Sequence, residues 1–378
     1  MSLFLLAFFI VYGGVHFYFF AKFRGAFAPG PACSSALILF LALMVIAPIL
    51  VRLAERAGYE DAARILAYAG YVWMGVLFLF FSSSVALDLF RLAAGAARLV
   101  AHRDLPGLGV SGRTAFLIAS AFSVCISFYG YFEALQIRAE RIVIKSAKIP
   151  VEIGRIRVVQ ISDVHLGLIV GEKRLRRIIR EIEATKPDML VSTGDLVDGQ
   201  IDGLSELVAP LREIKPKYGK YAVTGNHEWY AGIDQALNFT RKTGFAVMDG
   251  KALYQGGITV AGVSDPASRQ MGVFGGTPEK EMLARLPRDK FTLLLKHRPV
   301  VEKESPGLYD LQLSGHIHQG QIFPFILVTR LIYPAPSGAS RQEGAGTLYV
   351  SRGTGTWGPP IRFLAPPEVT VIDLVHGE

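Results

Sequence analysis

The sequence predicts a protein of two parts: a transmembrane domain of four helices, then a domain of mixed α+β and α/β class with two packed sheets. Two observations predict this division. Four long apolar stretches occupy the first third of the 378-residue chain, and each approaches or exceeds the roughly 20 residues that cross a bilayer core. After them, short β-branched runs alternate with helical periodicity and then dominate, which indicates two sheets flanked by helices.

The apolar stretches cover residues 3–20, 35–51, 65–90 and 114–135. Four such runs in succession are rare in soluble cores, so we assign residues 1–135 to the membrane. The first stretch is not a cleaved signal peptide, because no Lys or Arg precedes it and a second apolar stretch soon follows. The two cysteines, Cys33 and Cys125, form no Cys-x-x-Cys pair and predict no disulfide framework.

The charge balance bears on partners and on orientation. The chain has 40 Lys and Arg against 32 Asp and Glu, a net charge of +8. Cations that anchor membrane spans explain this excess, and a basic surface for anionic lipid headgroups is the alternative. No nucleic-acid-binding signature is present, so we expect no nucleic acid partner.

An even number of spans puts both termini on one side of the membrane. The first and third connections hold six basic residues against three in the second, but four more follow the fourth stretch. The positive-inside rule therefore leaves the side of the C-terminal domain open.

Two features of the apolar part have more than one interpretation. His16 lies within the first stretch, where an ionisable residue either has a function or bonds to a neighbouring helix. The segment 91–103 spaces basic residues among apolar ones at helical intervals. It either lies on an anionic membrane surface or continues the third helix beyond the bilayer.

Beyond residue 135 the pattern changes to that of an α/β domain. A strand at 142–144 makes residues 136–152 a connecting strand and linker, and residues 153–378 form the second domain. Helical periodicity marks 173–184 and 233–242. Further strands are predicted at 156–161, 189–192, 221–224, 258–263, 291–295, 311–314, 348–351 and 369–374.

Five short polar motifs follow predicted strands of this second domain, where α/β folds place their sites. They contain seven candidate metal ligands with oxygen or imidazole donors, and imidazole suits Mn²⁺, Fe or Zn²⁺ better than Mg²⁺. Two divalent metals held about 3.5–4 Å apart assist the hydrolysis of phosphate esters and anhydrides. The motifs are Asp163-Val164-His165, Gly194-Asp195, Gly225-Asn226-His227-Glu228, Lys296-His297-Arg298 and Gly315-His316-Ile317-His318.

These motifs, in this order, resemble the signature of the calcineurin-like metallophosphoesterase superfamily over roughly residues 150–378. The resemblance implies a two-sheet αββα sandwich with a dinuclear centre, beside which His227 would sit without binding metal. The implied ligands are Asp163, His165 and His318 for the first metal, Asn226, His297 and His316 for the second, and Asp195 as the bridge between them.

Stretches 262–266, 311–321 and 353–368 resemble the membrane-associated or secreted bacterial branch of that superfamily. This branch is also similar to the UDP-2,3-diacylglucosamine pyrophosphatases of lipid A synthesis. Ile317 and Gln319 depart from it at positions that bind no metal, so the departures bear on substrate fit. The resemblance implies an integral protein of a bacterial inner, or cytoplasmic, membrane.

Other polar residues near the motifs have candidate roles. His227 is placed to protonate the leaving group. Glu228 and Asp198 either orient metal ligands or are ordinary loop residues. Arg298 and Arg362 are candidate substrate ligands because guanidinium pairs bidentately with phosphate, and a salt bridge is the alternative role for each.

The predicted function is a membrane-bound phosphohydrolase that holds two divalent metal ions, Mn²⁺ before Fe or Zn²⁺. It would cleave a phosphoester or pyrophosphate by attack of a metal-bridging hydroxide. Four spans exceed what an anchor needs, so we expect membrane lipids as partners and a phosphorylated, lipid-linked substrate. The alternatives are an extracytoplasmic phosphodiesterase on non-lipid substrates and a non-catalytic membrane sensor or scaffold that retains the fold.

Overall fold

The structure is a computed structural model that describes residues 2–101, 110–199, 204–273, 276–305, 307–342 and 346–377. The chain divides into two compact units. The first runs to Phe132 and includes the short segment Pro359–Ile361, and the second comprises Glu133–Gly358 and Arg362–Glu378.

Four long helices form the first unit, as predicted for the four apolar stretches. Each helix is long and apolar enough to cross a membrane, and large apolar side chains such as Leu39 and Phe17 are mostly exposed, as lipid-facing residues are. The third helix continues through residues 91–101, which favours the second interpretation of that basic segment. The helices are α1 (Ser2–Phe27), α2 (Pro31–Arg56), α3 (Glu60–Ala101) and α4 (Gly112–Glu133).

Several polar side chains of the four-helix unit pair with one another. His16 Nδ1–H donates to the carbonyl of Tyr12 at 2.8 Å, and Trp73 Nε1–H on α3 donates to His16 Nε2 at 3.0 Å. Lys22 on α1 donates to Asp88 Oδ1 on α3 at 2.5 Å. His16 therefore bonds to a neighbouring helix, which is the second of its two predicted roles.

The second unit begins with a sheet of six strands. Its strands are β1 (Arg138–Lys145), β2 (Arg155–Ile161), β3 (Met189–Ser192), β4 (Lys220–Ala222), β5 (Ala246–Val247) and β12 (Glu368–Val375). Their spatial order is β1-β12-β2-β3-β4-β5. Neighbours are parallel except for β12 and β2.

A second sheet of six strands completes this unit. Its strands are β6 (Lys251–Gln255), β7 (Ile258–Gly262), β8 (Thr292–Leu295), β9 (Leu311–Ser314), β10 (Gly338–Arg341) and β11 (Thr347–Val350). Their spatial order is β10-β11-β9-β8-β7-β6. The central strands are parallel, and the outermost pair at each edge is antiparallel.

The helices of the second unit cover the outer faces of the sheets, which gives the predicted αββα order. Helix α5 buries Leu175 and Ile178 on the side of the first sheet, and α10 buries Met282 and Leu283 against the second. The helices are α5 (Glu172–Thr185), α6 (Val208–Glu213), α7 (Asn226–Ala231), α8 (Ile233–Lys242), α9 (Ala267–Gln270), α10 (Glu279–Ala284) and α11 (Ile326–Ile332).

Strand β1 lies within residues 136–152, where a connecting strand and linker were predicted, and it is longer than the predicted strand at 142–144. This strand pairs in parallel with β12 along its whole length, from Arg138 opposite Glu368 to Lys145 opposite Val375. A segment held by a full ladder of backbone hydrogen bonds is part of the sheet rather than a linker. The connection that joins α4 to the second unit's first strand is therefore only residues 134–137.

The two sheets pack face to face through a shared apolar core. Val158 and Val191 of the first sheet and Leu293 and Leu313 of the second are fully buried within it. Strands β3, β8 and β9 are buried on both faces, as expected for parallel strands covered by helices and a second sheet. This burial fixes the strand ends from which the polar motifs emerge.

Candidate metal centre

The five polar motifs follow strands that are neighbours in the two sheets. Strands β2, β3 and β4 are parallel neighbours in the first sheet, and β8 and β9 are parallel neighbours in the second. Parallel strands end at the same edge of a sheet, so their following loops come together. The candidate ligands in these loops are Asp163 and His165 after β2, Asp195 after β3, Asn226 after β4, His297 after β8, and His316 and His318 after β9.

The side chains form three overlapping groups whose potential ligand atoms all lie within 4.8 Å of one another. Asp195 and His165 each belong to two groups, so the three groups are one continuous cluster. A carboxylate has two oxygens and a full charge, which suits Asp195 to contact two cations. The groups are Asp163 with His165 and His318, His165 with Asp195 and His227, and Asp195 with His297 and His316.

Imidazole nitrogens face one another across this cluster. His165 Nε2 lies 3.1 Å from His318 Nε2, and His297 Nε2 lies 3.1 Å from His316 Nδ1. His297 Nδ1–H donates to the carbonyl of Thr193 at 2.8 Å, which leaves its Nε2 atom facing the cluster. Fixing the tautomer through the other ring nitrogen is how proteins orient a metal-binding histidine.

Asn226 supplies the clearest test of whether the residues present fit a metal. Its Oδ1 atom is buried and has no hydrogen-bond partner among the residues that the structure describes. Leaving a buried acceptor unsatisfied costs roughly 1–3 kcal/mol. An amide oxygen of this kind, next to clustered carboxylates and imidazoles, is a donor that a divalent cation accepts. The donor set therefore fits a metal centre.

Five of the candidate ligands have a left-handed backbone conformation. The φ angles are +52° at Asp163, +54° at His165, +51° at Asp195, +75° at His316 and +48° at His318. Such conformations cost roughly 1–3 kcal/mol each for non-glycine residues and concentrate at functional sites. Hydrogen bonds hold them here: the N–H of His316 donates to both carboxylate oxygens of Asp163 at 3.0 Å, and that of His165 donates to the Asp195 carbonyl.

Two motif glycines permit the close approach of these loops. A Cβ atom on Gly225 would collide with Oδ1 of Asp195. A Cβ atom on Gly315 would collide with Oγ of Ser162 and Oδ2 of Asp163. Glycine is required at both positions because the carboxylates occupy the space that a side chain would fill.

Glu228 anchors the loop that carries Asp195. Its buried carboxylate accepts hydrogen bonds from the N–H groups of Gly225 at 2.7 Å, Asp195 at 3.0 Å, Leu196 at 2.7 Å and Val197 at 3.3 Å. Burial and the neighbouring Asp195 raise the pKa of Glu228. The structure thus gives this residue a positioning role and excludes that of an ordinary loop residue.

Asp198 orients His227. The Nδ1 atom of His227 lies 2.9 Å from the Asp198 carbonyl and 3.0 Å from its Oδ1, so Nδ1–H donates to Asp198. Burial lowers the pKa of His227, but Asp195 and Asp198 outweigh it and raise the pKa to about 9. An imidazole that is protonated at neutral pH is what a general acid requires. Asp198 also lies 3.4 Å from Nδ1 of the candidate ligand His165.

Three candidate ligands of the cluster have pKa values shifted toward the forms that bind metal, and His297 does not. Burial raises the pKa of Asp163, but His318 and His297 lower it below its usual range. Burial lowers the pKa of His318 to about 4, and burial together with His297 lowers the pKa of His316 to about 3. Ionised carboxylates and neutral imidazoles are the forms that bind metal. Burial lowers the pKa of His297, but Asp195 outweighs burial and raises it to about 10, so a metal that binds there would displace a proton.

The two predicted substrate-binding arginines have different surroundings. Arg298 is partly exposed and forms a bidentate ion pair with Asp265 at 2.8 and 2.9 Å. Arg362 is fully buried, and its guanidinium donates to the carbonyls of Gly355 and Arg352, each at 2.6 Å. This placement corrects the prediction for Arg362, because its donors hold the loops around His318 together and are not available to a substrate.

An open cleft of about 540 Å³ adjoins the cluster on the side of the second sheet. It begins at His297 and Arg298 and includes the buried Lys296, whose Nζ lies 2.7 Å from Glu279 and 3.2 Å from Glu302. The charged lining makes this cleft a place for a polar group rather than for a hydrocarbon chain.

Exposed aromatic residues border the cluster elsewhere. Trp357 is 52% exposed and Tyr230 56%, and their rings stand edge-on to His227 with centroids 5.9 and 5.7 Å away. The hydroxyl of Tyr333 lies 3.1 Å from His316 Nε2. Sequence reasoning missed Tyr230 and Tyr333, since neither stands in a motif whose spacing signals contact with a histidine.

Several known proteins are similar to this chain. The family model for calcineurin-like phosphoesterases matches residues 156–320. A metallophosphoesterase of Aquifex aeolicus is 38% identical over 255 residues, which are 67% of this chain and 97% of that relative. A Danio rerio transmembrane protein with a metallophosphoesterase domain is 30% identical over 272 residues, 68% of this chain and 62% of the relative.

Among solved structures, a putative 5'-nucleotidase from Staphylococcus aureus aligns with a TM-score of 0.36 at 14% identity. The alignment covers 53% of this chain and 49% of that one.

Proposed function

From the premise that this chain belongs to the calcineurin-like phosphoesterase family of metal-dependent hydrolases, we propose that it is a membrane-bound enzyme. It would use two divalent cations, with Mn²⁺ preferred over Fe and Zn²⁺. It cleaves a phosphoester or pyrophosphate in a lipid-linked substrate. The observation that carries the proposal is the position of Asp195, whose carboxylate joins two groups of potential ligands into one cluster.

The cluster divides naturally into two sets of ligands. Two bound cations would supply an activated water and neutralise charge on the phosphoryl group. The residues that would hold them are Asp163, His165 and His318 for one, Asn226, His297 and His316 for the other, and Asp195 for both.

The protein's own acid–base chemistry centres on His227. In this proposal His227 gives a proton to the leaving oxygen, which would otherwise depart as an unstable alkoxide or phosphate anion. Asp198 holds the ring through Nδ1 and leaves Nε2 as the proton donor. Arg298, at the mouth of the polar cleft, is placed to contact the phosphoryl group or the polar part of the substrate.

The surroundings of the cluster favour an amphiphilic substrate. A charged cleft adjoins His297 on one side, and the exposed rings of Trp357 and Tyr230 stand beside His227. Only residues 134–137 connect α4, a candidate membrane span, to β1 of the second unit. A short tether of this kind keeps the centre within reach of lipids, which supports membrane lipids as the partners.

The test is hydrolysis by the full chain in detergent with added Mn²⁺. The panel includes UDP-diacylglucosamine, a polyprenyl pyrophosphate, phosphatidyl lipids and a soluble aryl phosphodiester, with Asp195→Asn as the blank. Asp234→Asn, an exposed carboxylate in α8, is the matched control. We expect selective cleavage of one lipid that only Asp195→Asn abolishes. Cleavage of the soluble ester alone would reject the lipid-linked substrate, and full activity of Asp195→Asn would reject the metal assignment.

A bacterial cytoplasmic membrane is the proposed location, and the compartment distinguishes two versions of the enzyme. A nucleotide-lipid pyrophosphatase needs its centre in the cytoplasm, whereas an enzyme that acts on envelope lipids needs it outside. A C-terminal fusion to a fluorescent protein reports the first, and a fusion to alkaline phosphatase reports the second. Each reporter is active on one side only, so one of the two versions is eliminated.

A further inference from the structure

Helix α11 and the segment that precedes it expose a run of large apolar side chains. Every residue of α11 is at least partly exposed. Leu331 is 84% exposed, Ile332 68%, Leu327 58% and Phe323 41%. Single exposed apolar residues are ordinary, but a contiguous patch marks a surface that meets another apolar phase.

These side chains are concentrated at one place in the fold. Among the described residues of the second unit, fifteen large apolar side chains are exposed, and six of them fall between residues 323 and 332. Leu364 extends the patch, because the N–H of Phe323 donates to the carbonyl of Phe363 at 3.0 Å. Trp357 joins it through Gln321, whose side-chain amide donates to the Trp357 carbonyl at 2.9 Å.

We call this surface the apolar rim and define it by its exposed members. They are Phe323, Phe325, Leu327, Val328, Leu331, Ile332, Trp357 and Leu364. The rim adjoins the candidate metal centre at two points. The residue after α11, Tyr333, has its hydroxyl 3.1 Å from Nε2 of His316, and the ring of the rim residue Trp357 stands edge-on to His227. An apolar environment that covers the rim therefore lies beside the candidate metal centre.

The charge around the rim favours a lipid surface. Residues 319–342 contain Arg330 and Arg341 and lack any Asp or Glu, and Arg330 is exposed on α11 itself. Apolar residues interspersed with arginine and flanked by tryptophan are typical of segments that lie at the interface of an anionic bilayer. The four-residue connection to α4 means that such a bilayer is always available to this unit.

We propose that the apolar rim inserts into one leaflet of the bilayer that α1–α4 span, so that the candidate metal centre opens at the level of the lipid phosphates. The inference goes beyond the proposed function, since it concerns a surface outside the ligand cluster and does not depend on hydrolysis. The occupant is the bilayer: neither a second copy of the chain nor another protein is needed to cover the rim.

Site-specific fluorescence on the full chain tests the insertion. In a Cys33→Ser, Cys125→Ser background, Leu331→Cys is labelled with an NBD probe and placed in nanodiscs of phosphatidylcholine and phosphatidylglycerol. Val151→Cys is the matched control, because Val151 is 66% exposed in the same unit but lies outside the rim. We expect doxyl lipids to quench the Leu331→Cys probe at least twofold more than the Val151→Cys probe, and aqueous iodide to show the opposite order.

Two results would overturn the proposal. If iodide quenches the Leu331→Cys probe as strongly as the Val151→Cys control, the probe lies in water. A probe that neither iodide nor doxyl lipid quenches is covered by protein, whether from the same chain or from a second copy. Both outcomes are independent of catalysis, so a failure of the proposed hydrolysis leaves this test intact.

Kinetics provides a second readout. The double variant Leu331→Gln, Ile332→Gln is compared with Val151→Gln on a lipid phosphoester in vesicles and on a soluble aryl phosphoester. Loss of two apolar side chains from the leaflet should lower kcat/KM for the lipid about tenfold or more, with turnover of the soluble ester unchanged. Equal losses on both substrates would mean that α11 only supports the fold, and would reject the insertion.

Discussion

Both units of this protein bury polar side chains, but their surroundings differ. In the four-helix unit, His16 accepts from Trp73 and Lys22 pairs with Asp88. In the part of this unit that the structure describes, the buried hydroxyls without a hydrogen-bond partner, those of Tyr12 and Ser127, lie on two different helices. In the second unit, the buried Oδ1 of Asn226 lacks a partner among the described residues, and His165 Nε2 faces the like atom of His318 at 3.1 Å. Satisfied polar groups stabilise a fold, whereas clustered unsatisfied ones indicate that the site binds something else.

The largest effect that sharpens this contrast is expected from Asn226→Leu. Removing an oxygen whose role is to bind metal should lower hydrolysis by about a thousandfold, since a metal contributes several kcal/mol to charge stabilisation. The same change should leave the metal-free protein's free energy of unfolding within about 1 kcal/mol, because no hydrogen bond is lost. Turnover with Mn²⁺ and melting in chelator measure the two quantities.

A structural asparagine would behave in the opposite way. If Asn226→Leu melted well below the wild type in chelator while retaining activity with Mn²⁺, the orphaned oxygen would not be a metal ligand.

His227→Ala should lower kcat by about a hundredfold or more, as loss of a general acid does, with bound metal unchanged. The pKa of His227 is raised to about 9, so the group is protonated at neutral pH and its contribution is lost as pH rises through that pKa. Asp198→Asn removes one charge that raises this pKa and should shift the alkaline limb of the kcat profile to lower pH. If the alkaline limb of the kcat profile did not move in Asp198→Asn, the Asp198–His227 pair would be excluded from proton transfer.

Glu228→Gln tests positioning without removing a ligand. The carboxylate accepts hydrogen bonds from four backbone N–H groups. The side-chain NH₂ of a glutamine is itself a donor, so it cannot accept the hydrogen bonds of the N–H groups that it faces. Losses of 10–100-fold in metal affinity are typical when residues that orient ligands are changed. Titration with Mn²⁺ measures this, and the conservative Glu228→Asp should recover part of the affinity. If Glu228→Gln bound Mn²⁺ with wild-type affinity, the loop that carries Asp195 would keep its conformation without this carboxylate.

The smallest effect is expected in the four-helix unit. Trp73→Phe removes the donor to His16 Nε2 and should destabilise this unit by about 1 kcal/mol, the scale of interhelical hydrogen bonds in membranes. Hydrolysis of a soluble ester should not change. Unfolding in mixed micelles measures the first quantity, with Trp73→Phe in a His16→Leu background as the control in which the effect disappears. A large loss of turnover would give His16 a functional role.

The sequence predicts long or fully buried elements well. The bounds of β3, β9 and α8 are those expected, because each is a continuous apolar or amphipathic run between turn residues. Strand β5 has two residues, and β10 and β6, which have no buried residue, lie at sheet edges. None of the three shows a distinct alternation of apolar and polar residues in the sequence. Helix α11 is apolar but exposed, which is the reverse of what an apolar run suggests for a domain in water.

The candidate ligands were predictable because each stands in a motif at a strand end. Their backbone geometry was not: residues such as Asp163 rarely have a positive φ, and only the crossing of several loops imposes it. The buried role of Arg362 follows from loops that converge from distant parts of the chain. Trp229 packs in the core whereas Trp357 borders the centre, and nothing local in the sequence distinguishes them.

The most direct test of the dinuclear centre is the metal content of the purified full chain, measured by mass spectrometry on the sample whose turnover is recorded. After reconstitution with Mn²⁺ we predict two ions per chain in the wild type and at most one in Asp195→Asn, with activity lost in parallel. Full hydrolytic activity in a wild-type sample that holds one ion or none would contradict the account.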